Sequence, residues 1–460
     1  MPDYAGPLQH LVLSRTLWII VTPPLVGLFW HVLGALRSVP ITLRLSRRIG
    51  VTSVALASAA TVAQIVVLIR APRGSRAMLE HVVYGAQLGQ LDVGLDLWFD
   101  PLSAVACAVA CVVATGAAAM VGSRPPAERG WVVWAWLELA LAGALLSFLA
   151  AGLATTLVGW TLAAAAGAWL AGWTDVRAGV VTATRSAFGI ATVLLGASLL
   201  FWGLGGGWEG DDYVRDTQPR YAAVRVGGWS EEGQKPQGEE TSANESASLT
   251  LTSAPGALVY LDDARTVAMR APFVGAPLSA GPHTFRLHLG DASNDHHIGP
   301  VATEAGDEIV LMPLGPTLSY AEMAAALVVR DRGGELMAGR ALQVGKAPAG
   351  FALMALALGA LLLGASAMSA GAPPSGGPFA LAAVAQGVTT AAIGPFLLLR
   401  VAFLLPLAPR MGMLIAGVGA LSLAASAKRA LSLKGAPSRW IALMAGAPAG
   451  LTLISLSTDG

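Results

Sequence analysis

The stretch Leu149–Asp175 reads LAAGLATTLVGWTLAAAAGAWLAGWTD and carries no charge before its last residue. About 20 consecutive apolar residues at helical rise match the hydrocarbon core of a bilayer. Inside lipid every backbone amide must find its partner within the segment, which a helix achieves. A membrane helix is expected here. Comparable runs recur at 11–36, 50–70, 98–122, 131–149, 151–173, 180–205, 350–370, 379–405, 411–428 and 438–456, so about ten transmembrane helices are expected. Composition agrees. Charged residues make up 12% of the chain and mean hydropathy is +0.62, against about one quarter charged in soluble globular proteins. The net charge of +1 gives no reason to expect a nucleic-acid partner.

Local features refine this outline. Pro23 and Pro24 lie inside the first run and should kink it by removing backbone donors. The N-terminus lacks the basic, apolar, then small layout of a cleaved signal, so the first run is kept as a helix. Cys107 and Cys111 sit one helical turn apart in the third run and read as small buried residues, since two thiols fall short of the four ligands of structural zinc. Basic residues are held preferentially in cytoplasmic loops. Arg37, Arg44, Arg47, Arg48, Arg124, Arg129, Arg177, Arg185, Lys428, Arg429, Lys434 and Arg439 would share that side, and Arg73, Arg76, Arg400 and Arg410 the other. Both termini are then expected outside the cytoplasm.

Between the sixth and seventh runs the composition changes to polar and turn-rich. Residues 206–247 contain the low-complexity stretch Ser230-EEGQKPQGEETSANES, too poor in apolar residues to offset the entropy of folding, and read as a flexible linker. Strand-like segments then begin at Leu249, Ala257, His283 and Glu308, predicting a small all-β sandwich over 248–316, with an amphipathic connector over 317–349. His296 and His297 read as a solvated turn. An even number of helices precedes this insertion, which puts it outside the cytoplasm. The expected fold is an all-α polytopic bundle with an inserted extramembrane β-sandwich: 1–205 holds helices one to six and 350–460 helices seven to ten.

Several stretches carry family resemblances. Ala254-Pro-Gly-Ala-Leu-Val-Tyr-Leu-Asp, Ala276-Pro-Leu and Ala280-Gly-Pro-His-Thr-Phe-Arg-Leu resemble the PEGA-type β-domain of bacterial envelope proteins, with Ala276 where threonine is usual. Leu91-Asp-Val-Gly-Leu-Asp-Leu-Trp-Phe-Asp-Pro-Leu-Ser, the Leu-Val-Gly-Trp entry and Gly172-Trp173-Thr174-Asp175 exit of the fifth run, Thr184-Arg185, Thr317-Leu-Ser-Tyr-Ala-Glu322, Gly364-Ala-Ser-Ala-Met-Ser-Ala370 and Arg439-Trp-Ile-Ala442 resemble, in order and spacing, the large antiporter-like subunit of respiratory complex I. That subunit 5, or L-type, family is related to Mrp antiporters. Asp100 also reads as a helix N-cap.

The resemblance implies proton movement through buried ionisable groups, but here the matching positions hold Thr161, Met368 and Gln386, and Phe188 stands where an aspartate is usual. None of these four side chains titrates. Of the family's charges Arg185 remains, read either as a cytoplasmic-end arginine or as a retained channel charge. Glu138 is the one ionisable group deep in runs four to nine, and such a residue is a functional-site hypothesis by default; the bland alternative is that threonines Thr155, Thr156 or Thr161 on a packed neighbour satisfy it. Glu138 and Arg185 form the candidate proton path. No catalytic residue, cofactor motif or metal site is expected; Gly205-Gly206-Gly207 has no following lysine and is no phosphate loop. The resemblance implies a truncated, degenerate membrane-arm subunit of a complex I-like assembly in the bacterial inner membrane, deficient in autonomous proton translocation. The alternative is a non-conducting scaffold that presents the β-domain to an envelope partner.

Overall fold

The computed structural model describes residues 11–37, 42–71, 77–88, 91–123, 130–174, 176–204, 206–209, 212–215, 220–226, 246–251, 257–288 apart from 263, 265 and 272, 295–314, 319–320, 335–338, 346–370 and 392–407, with six further positions between 413 and 424. The chain divides into two compact units. One comprises Met1–Leu13, Pro72–Gly94 and Leu200–Gly345; the other comprises Ser14–Ala71, Leu95–Leu199 and Lys346–Gly460.

The second unit is helical. Its elements are α1 (Trp18–Leu36), α2 (Leu43–Arg70), α3 (Pro101–Ser123), α4 (Gly130–Leu149), α5 (Leu153–Thr174), α6 (Val176–Leu204) and α7 (Lys346–Ala370). Helices α1 to α6 are each long and apolar enough to cross a bilayer, and the chain is a multi-pass membrane protein. Helix α4 is the innermost: 78% of its spanning window is buried, against 28% for α1 and α2. The outer helices direct Phe29, Trp30, Leu56 and Ile69 outward, as lipid-facing surfaces do. A helical stretch over 392–400 runs into a 3-10 turn, Ala402–Leu407. The runs expected at 411–428 and 438–456 lie almost wholly outside the described residues.

Polar punctuation sets the helix ends. The first run does not begin a helix at Leu11: Leu11–Leu13 is strand β1, and α1 opens only at Trp18. Ser14, Arg15 and Thr16 separate the two, with the Thr16 amide donating to Ser14 Oγ and Trp18 Nε1 to the Arg15 carbonyl. Pro23 and Pro24 both lie within α1. Helix α2 starts seven residues before its apolar run because Thr42 caps it, its hydroxyl accepting from the Leu45 amide. Arg44, Arg47 and Arg48, expected in a loop, therefore occupy the exposed faces of the first turns of α2. Arg185 falls within α6, as the run from 180 implies, and the helix opens four residues earlier, at Val176. The capping role of Asp100 is realised, Oδ1 accepting from the Ser103 amide at 2.8 Å.

Small residues let helices α4 and α5 touch. A Cβ on Gly143 would lie 2.6 Å from the Gly159 carbonyl oxygen, and one on Gly159 2.6 Å from the Gly143 carbonyl oxygen. This is the close backbone approach that drives association in lipid, where burying apolar surface offers no gain.

The first unit carries sheets. Strands β2 (Ala77–Leu88) and β3 (Leu91–Phe99) join β1 in the order β1-β2-β3, β1 running parallel to β2, and β4 (Gly206–Glu209) pairs with β5 (Asp212–Arg215). The remaining strands are β6 (Arg220–Val226), β7 (Ala247–Leu251), β8 (Leu258–Leu261), β9 (Met269–Arg270), β10 (Phe273–Leu278), β11 (Gly281–His288), β12 (Asp295–Thr303), β13 (Glu308–Leu314) and β14 (Glu335–Ala338). They form a five-stranded sheet, β10-β7-β13-β6-β14, and a four-stranded one, β12-β11-β8-β9. One apolar core draws on both, including Leu249, Ile309 and Leu311 from the first and Val259, Phe285 and Val301 from the second.

This arrangement reaches beyond 248–316 on both sides. Strand β6 comes from the segment read as linker and β14 from the segment read as amphipathic connector, and both pair in the five-stranded sheet. The alternation of Tyr221, Ala223 and Arg225 is short and interrupted by alanines, so its strand character rests on pairing with β13. The low-complexity stretch after Ser230 lies outside the described residues. His296 and His297 are strand residues of β12, paired with Leu287 and Arg286, not a turn.

Candidate functional site

Three helices converge on Glu138, which sits eight residues into α4 and is fully buried. Its Oε2 lies 2.8 Å from His31 Nδ1 on α1, and its Oε1 accepts from Ser53 Oγ on α2 at 2.9 Å. His31 is itself fully buried, and its Nε2 lies 2.8 Å from Ser46 Oγ near the start of α2. His31 Nδ1 is also 2.9 Å from the Gly27 carbonyl oxygen. A carbonyl can only accept, so Nδ1 bears a hydrogen and Nε2 is the nitrogen turned to the serine hydroxyl. A carboxyl buried in hydrocarbon is tolerable only with partners of this kind.

Glycine makes the approach possible. A Cβ on Gly27 would collide with the Glu138 carboxylate, and one on Gly50 with the Trp134 ring. Beside Glu138 lies a cavity of about 20 Å³, whose lining includes Val54, Ala114, Ala117, Trp134 and Leu141. It is large enough for one water.

These partners differ from those expected. Threonines Thr155, Thr156 and Thr161 are not the groups that satisfy Glu138; helices α1 and α2 supply them. Thr161, expected from the resemblance to stand where a glutamate is usual, is exposed and returns its hydroxyl to the Leu157 carbonyl of its own helix. Arg185 and Phe188 are exposed on α6, so the structure does not bring Arg185 to Glu138. Met368 belongs to the last turn of α7, and Gln386 lies outside the described residues. Sequence reasoning missed His31, because a search guided by the resemblance looks in the fourth to ninth runs. The signal was present: His31 is the one histidine in any of the ten apolar runs.

A second buried polar cluster corrects the reading of Arg400 as a loop charge. Its guanidinium donates to both carboxylate oxygens of Asp100, at 2.6 and 2.9 Å, and to Ser103 Oγ at 2.5 Å. The plane also stacks over the Trp98 and Phe396 rings, 4.8 and 5.1 Å from their centroids. The arginine is 8% exposed. The fork-on-carboxylate geometry and aromatic stacking suit arginine and not lysine. Because Asp100 and Ser103 belong to the opening turn of α3, this pair ties the start of that helix to the 392–400 stretch. Cys107 and Cys111 are buried free thiols, Cys111 Sγ within 3.4 Å of Thr61 Oγ1.

In the β unit, Asp262, His283 and Ser279 lie in line. His283 Nδ1 is 2.8 Å from Asp262 Oδ2, and Nε2 is 3.2 Å from Ser279 Oγ. The order resembles a hydrolase triad, but Nε2 also lies 2.8 Å from the Ser279 carbonyl oxygen. That nitrogen is a donor and cannot take the hydroxyl proton. The cluster is structural. Partial burial opposes ionisation of Asp262, but the Thr284 amide and His283 outweigh it and hold the carboxyl below its usual range. The His288 hydrogen bond likewise lowers Asp295, and burial lowers His296. No group of three or more metal-ligating side chains occurs among the described residues.

The geometry defines a multi-pass helix bundle with a buried ionisable cluster. No protein-family model matches the sequence, and no relative is found among curated proteins. In fold the chain is similar to one in the membrane-bound sulfane sulfur reductase (MBS), an archaeal respiratory membrane complex, with 15% identity, a TM-score of 0.55 and 96% of this chain covered. It is also similar to a chain of the Mrp complex from Dietzia sp. DQ12-45-1b, with 12% identity, a TM-score of 0.54 and 97% covered. It spans 51% and 34% of those two chains respectively.

Proposed function

We propose that this protein is a membrane-arm, antiporter-like subunit of a multi-subunit respiratory-type complex, related to subunit 5 of NADH-quinone oxidoreductase. The observation that carries this reading is a fold likeness running along nearly the whole chain to chains of two membrane complexes. The ordered motifs from Leu91 to Arg439 support the finer relation. In this reading the subunit does not move protons through the family's positions, because Thr161 is a self-satisfied, exposed hydroxyl and Phe188 cannot titrate. Glu138 is the candidate proton site and Arg185 a basic anchor of α6. The basic start of α2 faces the cytoplasm of a bacterial inner membrane. Burial of Arg400 supports that orientation by removing one positive charge from the opposite face. The PEGA-like β unit and both termini then face away from the cytoplasm.

A mild-detergent purification of tagged protein tests this. Co-elution with other membrane subunits and NADH:quinone activity is the expected result. Elution alone, or with envelope proteins, favours the second reading, a non-conducting scaffold with the β unit as its recognition surface. The paired Asp262 and His283 at the PEGA-like motif positions favour that reading of the β unit.

A further inference from the structure

We infer that Glu138, His31 and Ser46 form a one-sided proton relay, linking the middle of the membrane to the face where α1 ends and α2 begins. The inference rests on the reading of Glu138 as a proton site and names the route and the side from which it is loaded.

The hydrogen bonds have the polarity a relay needs. His31 Nδ1 carries a hydrogen held between the Gly27 carbonyl and Glu138 Oε2, while Nε2 faces the Ser46 hydroxyl. Loading proceeds as follows. Ser46 is itself fully buried, within one turn of the start of α2; its Oγ gives its proton to Nε2 and takes one from a water admitted at that face, and Nδ1 releases its proton to Glu138 Oε2. The carboxylate becomes a neutral acid, the imidazole ends as the other tautomer, and one proton has left water. Ser53 accommodates the change, since its hydroxyl has two acceptors in reach, Glu138 Oε1 at 2.9 Å and the Gly50 carbonyl at 3.0 Å. It serves the carboxylate when Glu138 is charged and can turn to the carbonyl when it is not.

The geometry also gives the direction. Contacts between His31 and Ser46 and between Thr16 and Gln64 make α1 and α2 antiparallel, while Gly50 against Trp134 and Ser53 against Glu138 make α2 and α4 parallel. At about 1.5 Å rise per residue, Ser46 lies within one turn of the start of α2, and Glu138 lies two turns into α4 from the same face. Exposed Arg37, Arg44, Arg47 and Arg48 surround that entrance. Toward α3 Glu138 meets the small cavity, lined almost wholly by apolar groups. A water there would have too few polar partners to be held, so among the described residues the bonded path stops at Glu138. Among the described residues, Cys107 and Cys111 are the other titratable side chains on the facing helix α3, and Cys111 is turned to Thr61.

Infrared spectroscopy of the full-length protein in zwitterionic liposomes tests this. The carbonyl stretch of a protonated carboxyl should appear as pH falls and be missing in Glu138→Gln. After a rapid switch to deuterated buffer, the shift of that band should slow by about tenfold or more in Ser46→Ala and in His31→Gln. Ser46→Thr, which keeps a hydroxyl, should restore the rate. A Glu138 band that exchanges at the wild-type rate in Ser46→Ala overturns the relay while leaving Glu138 a proton site. Spectra identical in wild type and Glu138→Gln overturn both.

Discussion

A buried charge is stable only through its partners. Asp100 holds Arg400 by a bidentate pair, and removing one member leaves the other charge in a low-dielectric interior, a loss of about 3–5 kcal/mol. Arg400→Ala should therefore lower the thermal midpoint of the detergent-solubilised protein strongly. The double variant Asp100→Ala with Arg400→Met should recover part of that loss, because no unpaired charge remains. Asp262 makes a prediction of opposite accessibility, at the surface of the β unit. Its carboxyl is held below its usual range in the folded state, so its stabilisation is complete above the unfolded carboxylate range, near pH 3.9. It is lost as pH falls through the lowered folded value. Asp262→Asn should weaken that acid step, read from the β-sheet amide I band as pH is lowered. Of these residues, Asp100 was legible as a cap from its place before Leu102 and Ser103. Its bond to Arg400 was not, because 300 positions separate the partners.

At the scale of elements, apolar run length found the helices and polar punctuation moved their ends. Thr42 and the Ser14–Thr16 cluster each shifted a boundary, by local hydrogen bonds that a count of apolar residues does not register. The small-residue middle of α5 was legible as a contact surface, and its partner is α4 through Gly143 and Gly159. Gly159→Val forces that seam apart and should destabilise the bundle by about 1–3 kcal/mol, measured by thermal unfolding in detergent. Gly172→Ala is the control, since a Cβ there meets its nearest atom at 3.5 Å. Trp136, Trp169 and Trp173 stack in sequence, with 4.8 Å between successive centroids. Indole rings gather at membrane–water interfaces, and this set lies toward the Gly130 end of α4 and the Thr174 end of α5.

For the whole molecule, a likeness at 15% identity over 96% of the chain speaks to architecture, and chemistry has to be argued from the sites. Liposomes containing the purified chain alone should leak protons no faster than empty ones in a pH-dye assay, because among the described residues the bonded path from the α1–α2 face ends at Glu138. Thr161→Glu should leave that rate unchanged, since the position is exposed and no bonded path joins it to the buried cluster among the described residues. A rate raised by Thr161→Glu would mean that a proton route runs past this position despite its exposure.

Hydrophobic run length and the scarcity of charge determined by themselves that the chain crosses a membrane, because unpaired backbone and bare charge are intolerable in hydrocarbon. Alternation marked β7, β8, β11 and β13, whose inward faces are continuous. It did not mark β6, whose alternation is broken by adjacent alanines, or β14, which is four residues long; both take their place by pairing in the five-stranded sheet. The tertiary structure alone decided what Glu138 touches. Its partners come from α1 and α2, 107 and 85 positions away, and such pairings follow from how helices cross rather than from any local pattern. Nor does local sequence separate a basic residue at a helix end from one folded back into the interior. For Arg400 that distinction was made by Asp100, Ser103 and two aromatic faces waiting across the bundle.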